Sequence, residues 1–221
     1  MKYKAILLDF YGTLVAEDDH LIARLLAEIA ECSPVSSNAQ EIGRDWNFQE
    51  MCQTAYAGNF KTQRSIEVES LQRLLARYQA NLNADEMAER LFAYWRTPAV
   101  YEDARRFLAN NTLPICVASN IDTADLNAAC ASAGWGFDLM VTSESCRSYK
   151  PRPEMFLSAL EKLDCQAHEV LHIGDSLSSD IKGAQALGID TVWVNRKQRI
   201  LPPDFASPTY TIATLNALSF L

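Results

Sequence analysis

Four places in the 221-residue chain carry residue types suited to covalent chemistry. Asp9 lies near the end of a short apolar run, Lys4 to Phe10, and is followed by Tyr11, Gly12 and Thr13. Ser119 and Asn120 follow the apolar run Leu113 to Ala118, and Lys150 stands directly before Pro151. Asp175 follows the run Val170 to Ile173 and Gly174, with Asp180 close behind. A carboxylate, a hydroxyl, an ammonium and an acidic pair together suit attack by an Asp on phosphorus or on a polarised carbon. In that chemistry Lys150 holds Asp9 ionised and neutralises developing charge. Asp9, Asp175 and Asp180 form a hard-oxygen cluster fit for Mg²⁺.

These residues need elements to bring them together. The three apolar runs, with Leu139–Thr142 and Thr191–Val194, read as buried strands of a parallel sheet. Helices are expected at Glu102–Asn110, Asp125–Ala133, Pro153–Leu163 and Ile181–Leu187, with Gly134 and Gly188 as closing residues. Such alternation implies right-handed βαβ units, and every candidate residue then falls near the carboxyl end of a strand, where open α/β sheets bind ligands. Residues 16–95 read differently, as an all-helical insertion. Leu21, Ile22, Leu25, Leu26 and Ile29 make one stripe; Ile66, Val68, Leu71, Leu74, Leu75 and Tyr78 a second; Met87, Leu91, Phe92 and Trp95 a third. Ser37 with Gln40 and Asn83 with Glu86 have capping-box spacing, and Gly58 is placed to close a helix. The expected organisation is a core of residues 1–15 and 96–221 with a helical domain at 16–95.

Composition narrows the partners. The chain is 48% hydrophobic with 20 basic against 28 acidic residues, a net charge of −8. That supports a packed core and disfavours nucleic acid or an anionic membrane surface as partner. Residues 17–95 hold 13 acidic and 7 basic residues, so the insertion carries most of the negative charge. Six scattered cysteines, with no C-x-x-C pair, and an N-terminus without a signal-peptide pattern point to the cytoplasm. No apolar run approaches the ~20 residues of a membrane span.

Asp9-Phe10-Tyr11-Gly12-Thr13-Leu14, Ser119-Asn120, Lys150-Pro151 and Gly174-Asp175 through Asp180 resemble the four ordered motifs of the haloacid dehalogenase superfamily of hydrolases. The resemblance covers essentially the whole chain and implies a Rossmann-like sheet with the helical block as an inserted cap. It also implies Asp9 as nucleophile of a covalent aspartyl intermediate, Thr13, Ser119 and Asn120 as substrate contacts, and Lys150 as orienting cation. Mg²⁺ would sit on Asp9, the main-chain oxygen of Tyr11, Asp175 and Asp180. The cap would open and close over a small-molecule substrate.

One position departs from the phosphatase pattern. Family phosphatases carry a second Asp two residues after the nucleophile, to protonate the leaving group and activate water; here that residue is Tyr11. A phenol with a pKa near ~10 donates a proton but is a poor base at neutral pH. Tyr11 therefore resembles the 2-haloacid dehalogenase branch, whereas the pair Asp175 and Asp180 resembles the metal-dependent phosphatases. Two carboxylates beside a third repel strongly without a cation, which favours a Mg²⁺-dependent phosphatase of small metabolites. A C–halogen hydrolase is the second reading, and a weakly active binding or regulatory protein the third. Arg44, Trp46, Phe48 and Tyr56 fall on one predicted helix of the insertion, where Arg44 either receives a substrate carboxylate or phosphate or is merely exposed. His172 reads as a satisfied core histidine, and Glu17-Asp18-Asp19 as a helix start.

Overall fold

The computed structural model describes residues 2–218. The apolar runs are strands: β1 Ala5–Leu8, β2 Ile115–Ser119, β3 Leu139–Thr142, β4 Val170–Gly174 and β5 Asp190–Val194. A sixth, β6 Tyr210–Ile212, is only three residues long and partly exposed, so it has no pattern that a reading of periodicity detects. All neighbours pair in parallel, in the order β3-β2-β1-β4-β5-β6.

Alternation along the strands divides the core in two. Ile6, Leu8, Val117, Leu171, Ile173 and Val192 face one side, and Ala5, Leu7, Cys116, Ala118 and Val170 the other. Each fully buried aliphatic side chain is worth about 1.5–3 kcal/mol, so a one-residue slip of register is prohibitive.

The insertion holds α1 Asp19–Cys32, α2 Ala39–Asp45, α3 Phe48–Thr54, α4 Gln63–Arg77 and α5 Ala84–Arg96. Behind it come α6 Glu102–Asn110, α7 Thr123–Ala133, α8 Ser143–Cys146, α9 Pro153–Leu163 and α10 Lys182–Gln185. α6 and α7 cover the first sheet face through Phe107, Leu126 and Ala129, while α9 covers the second through Met155, Phe156 and Ala159. Gly134 and Gly188 do take positive φ, 73° and 74°, where the chain leaves a helix. The expected helix Ile181–Leu187 is instead a π-helical turn, Leu177–Ile181, running into the short α10.

Three details of the insertion correct the expectations. The reciprocal cap of α2 is Asn38 with Glu41, not Ser37 with Gln40, because the Asn38 carboxamide takes the Glu41 N–H at 3.0 Å. Arg44, Trp46, Phe48 and Tyr56 do not share a helix, since Trp46 and Asn47 break the stretch into α2 and α3. Gly58 lies in a short 3₁₀ turn, Ala57–Asn59, beyond the end of α3. Asn83 caps α5, accepting from the N–H groups of Asp85 and Glu86, which is the Asn83 half of the expected box.

The insertion is fastened to the sheet beside the Ser119 loop. The Asp122 carboxylate accepts from the first N–H groups of α4, Gln63 at 2.8 Å and Arg64 at 3.1 Å. Arg64 in turn donates twice to Asp125 of α7, at 2.7 and 2.6 Å. Among the described residues no helix is long and apolar enough to cross a membrane.

Candidate active site

The carboxyl ends of β1, β2 and β4 bring the four motifs to one cleft. Asp9 continues β1, with its N–H bonded to the Ile173 carbonyl at 2.9 Å. Lys150 arrives from the segment after α8 and spends all three ammonium hydrogens there. It donates to Asp9 Oδ1 at 2.8 Å, Asp180 Oδ1 at 2.6 Å and the Ala118 carbonyl at 2.8 Å. Thr13 donates to Asp9 Oδ2 at 3.1 Å. Asn120 uses both ends of its carboxamide on the Lys150 backbone, accepting the N–H at 2.7 Å and donating to the carbonyl at 3.2 Å. Asn120 thereby positions Lys150. Ser119 is buried and lines the same cleft as Asp9 and Lys150.

Two glycines make room for the acids. A Cβ at Gly174 would collide with Asp180, and one at Gly12 (φ 84°) would strike Asp175. Asp180 turns back within the π turn to accept the Ser176 N–H at 3.0 Å. The Asp175 main-chain oxygen takes the Trp193 indole N–H at 2.9 Å and an Arg199 N–H at 2.7 Å.

Asp9, Asp175 and Asp180 each offer a carboxylate oxygen, all within 4.8 Å of one another. Lys150 touches two of the three acids, and Arg199 approaches Asp175 only to 3.9 Å. Burial pushes Asp9 up to about 7 against the pull of Lys150, with Asp180 adding to the rise. Lys150 pulls the Asp9 carboxyl towards ionisation, in the expected direction, while burial works against it. Asp175 is raised well above the usual carboxylate range by burial and by Asp9 and Asp180. Burial opposes the charge on Asp180 as well, but Lys150 and His172 outweigh it and hold that carboxyl low. Three clustered hard oxygens facing a shortage of positive charge fit Mg²⁺.

Other residues fall where the sequence alone did not place them. The Tyr11 hydroxyl donates to the Trp95 carbonyl at 2.6 Å, and burial raises its pKa. Arg44 is exposed and lines a separate groove with Val35, Asp45 and Arg77, so it does not join the cleft. Tyr56 lies under the Arg152 guanidinium, 3.6 Å from its ring centre. His172 is buried as expected, yet it serves the site: Nε2 meets Asp180 Oδ1 at 3.1 Å while Nδ1 has no partner. Its position on β4, two residues before Gly174, was the available signal. Glu17 was read only as part of a helix start, and Gln63 and Glu67 were not singled out. All three line the cleft or the adjoining cavity, Glu17 from just before α1 and the other two from α4.

Comparisons with known proteins agree with this geometry. The chain matches the model of the haloacid dehalogenase-like hydrolases over residues 3–188. It is 38% identical over 86 residues to the pyrimidine 5'-nucleotidase YjjG of Escherichia coli, which covers 38% of each chain. The matched stretches amount to between about a quarter and two fifths of the first curated relatives' own lengths. The fold superposes on the L-2-haloacid dehalogenase RSc1362 with a TM-score of 0.79 at 19% identity, covering 99% of this chain and 97% of that one. The magnesium-bound HAD-hydrolase YfnB of Bacillus subtilis gives 0.73 at 24%, covering 100% and 98%. With its sheet order, its four converging motifs and this match, the chain belongs to the haloacid dehalogenase-like hydrolase family.

Proposed function

We propose that this hydrolase cleaves small phosphate monoesters with Mg²⁺, through an aspartyl phosphate on Asp9, and that residues 16–95 form the cap over the cleft. The observation that carries the reading is the trio Asp9, Asp175 and Asp180 facing one fully engaged ammonium. The second reading, 2-haloacid hydrolysis, needs a cation for the substrate carboxylate. Arg44 is remote, and among the described residues Lys150 is the one Lys or Arg lining the cleft.

Asp9, Asp175, Asp180 and the main-chain oxygen of Tyr11 would hold Mg²⁺, which when bound supplies positive charge against the phosphoryl oxygens and the acids. Asp9 attacks phosphorus, its carboxylate forming the new P–O bond as the ester P–O bond breaks and the alkoxide leaves to take up a proton. Lys150 keeps the attacking carboxylate aimed, and the Thr13 hydroxyl restrains its other oxygen. Ser119 is placed to hydrogen-bond the transferring group. Water then attacks the phosphoryl group, returning Asp9 as carboxylate and releasing phosphate. With the Tyr11 proton committed to Trp95, Glu17 is the further carboxylate lining the cleft that can serve water, while paired with Lys197 at 3.1 Å.

The test is phosphate release from a panel of small phosphate monoesters with Mg²⁺ and with chelator, beside 2-haloacids assayed for halide. Phosphate released only with Mg²⁺, and lost in Asp9→Asn, is the expected result. Halide released regardless of chelator overturns it in favour of the dehalogenase, and silence in both assays favours a binding or regulatory protein.

A further inference from the structure

Beside the cleft lies a second cavity of about 370 Å³ between the insertion and the sheet. Tyr11, Phe48, Gln63 and Asn120 line both, so a group extending from a phosphate at Asp9 would enter it. Its lining is unusual in what it offers. Every aromatic donor is already used: Tyr11 donates to the Trp95 carbonyl, Trp95 Nε1 to Asp18 at 2.7 Å, and Trp46 Nε1 to Ser70 at 2.8 Å.

What remains is the carboxamides of Gln49 and Gln63, carboxylate acceptors and ring faces. Glu67 of α4 is 2% exposed, and its Oε1 has no hydrogen-bond partner. Gln63, one turn earlier, also carries a buried Oε1 without a partner. Asp18 adds a second carboxylate near Glu67, whereas Glu17 and Asp19 are already matched by Lys197. Among the described residues no Lys or Arg lines this cavity. A buried acceptor left unmade costs about 1–3 kcal/mol, more for a charged group, so the site is incomplete without a donor from outside. Indole and phenol faces attract a cation as well. An anionic or purely apolar group would leave both acceptors unmet.

We propose that the cavity formed by Glu67, Asp18, Gln63, Trp46, Trp95 and Tyr11 receives a protonated amine on the leaving group, making an aminoalkyl phosphate monoester the substrate. This rests on the phosphatase reading for the reaction, but not for the recognition of the amine. Burial, with Asp18 beside it, pushes Glu67 up to about 8 when nothing balances it, and an ammonium is the group that would relieve this.

The experiment compares ω-aminoalkyl with ω-hydroxyalkyl phosphates of two to six carbons, in wild type and in Glu67→Gln, which keeps the shape. A charge-assisted hydrogen bond is worth about 1.5–3 kcal/mol, so at the best chain length kcat/KM should favour the amine about 10- to 100-fold. In Glu67→Gln that ratio should fall towards one, with the loss mainly in KM. Equal rates for amine and alcohol at every length overturn the proposal, as does a ratio unchanged by Glu67→Gln. A parallel titration of the wild type and Glu67→Gln with n-butylammonium and with 1-butanol, read by tryptophan fluorescence, separates the two ideas. If no ester is cleaved but n-butylammonium alone gives a saturable change that Glu67→Gln abolishes, the amine pocket stands and the phosphatase reading falls. No preference for the ammonium sinks the pocket whatever the turnover.

Discussion

The Tyr11 hydroxyl donates a 2.6 Å hydrogen bond to the Trp95 carbonyl at the end of α5. The residue where a phosphatase would keep its acid–base group here ties the loop after Asp9 to the helices of residues 16–95 instead. Its proton is spent on structure.

Tyr11→Asp should therefore raise turnover on phosphate monoesters, by about tenfold or more, since a positioned general acid–base contributes typically 10²–10⁴-fold. Tyr11→Phe should leave turnover near wild type and cost about 1 kcal/mol of stability in urea unfolding. A fall in phosphate release for Tyr11→Asp, with the fold intact by circular dichroism, would count against Tyr11 standing where an acid–base group is missing.

Mg²⁺ should raise the melting temperature in a concentration-dependent way, because a ligand that binds only the folded state stabilises it by mass action. At 100 times the dissociation constant the gain is about 2.7 kcal/mol. Asp175→Asn should abolish most of this shift, removing the acid that Lys150 does not touch. An undiminished shift in Asp175→Asn, followed by differential scanning fluorimetry, would place the cation elsewhere.

Lys150→Met should destabilise the apo protein by about 3–5 kcal/mol at pH 8, the usual cost of removing one partner from a buried pair. It leaves Asp9 and Asp180, 5% and 1% exposed, without their shared cation. Urea midpoints in chelator are the measurement, and a loss under 1 kcal/mol would show that water or rearrangement compensates the two acids.

Glu67 gives a pH dependence whose sign follows from burial. Its carboxyl is pushed from 4.5 up to about 8, first by desolvation and then by Asp18. Between those values the folded protein holds a proton that the unfolded chain has released. Stability contributed by this group therefore falls as pH rises through the window, and the penalty is complete above about 8. Glu67→Gln should match wild type near pH 5 and exceed it at pH 9 by about 1 kcal/mol or more, each pKa unit being worth 1.36 kcal/mol. A difference between the two proteins that stays the same at both pH values would refute this.

The parallel α/β architecture was legible in the residues, and the candidates read from them, Asp9, Thr13, Ser119, Lys150, Asp175 and Asp180, lie in or beside one cleft. Strand alternation and strand-end position are local properties, written in spans as short as Ala5–Leu8 and Val170–Gly174. Gly12 and Gly174 were equally visible as glycines, but only the folded chain shows that each leaves space for a particular acid. Long-range choices were not legible. Nothing in Arg44's neighbours says that a break at Trp46 and Asn47 turns it towards Arg77, or that Asn120 is consumed by the Lys150 backbone.

Chain order and side-chain period thus determined which residues could react and at which end of the sheet they would gather. Tertiary packing decided the direction of Tyr11, the partner of His172, and the cavity in which Glu67 lacks a donor. The reason is that hydrogen-bond partners and burial depend on segments far apart in the chain: Tyr11 and Trp95 are separated by 84 residues, and Gln63 and Asp122 by 59. Each of those pairings is set by how the insertion and the strand ends fit against one another, which no local pattern encodes.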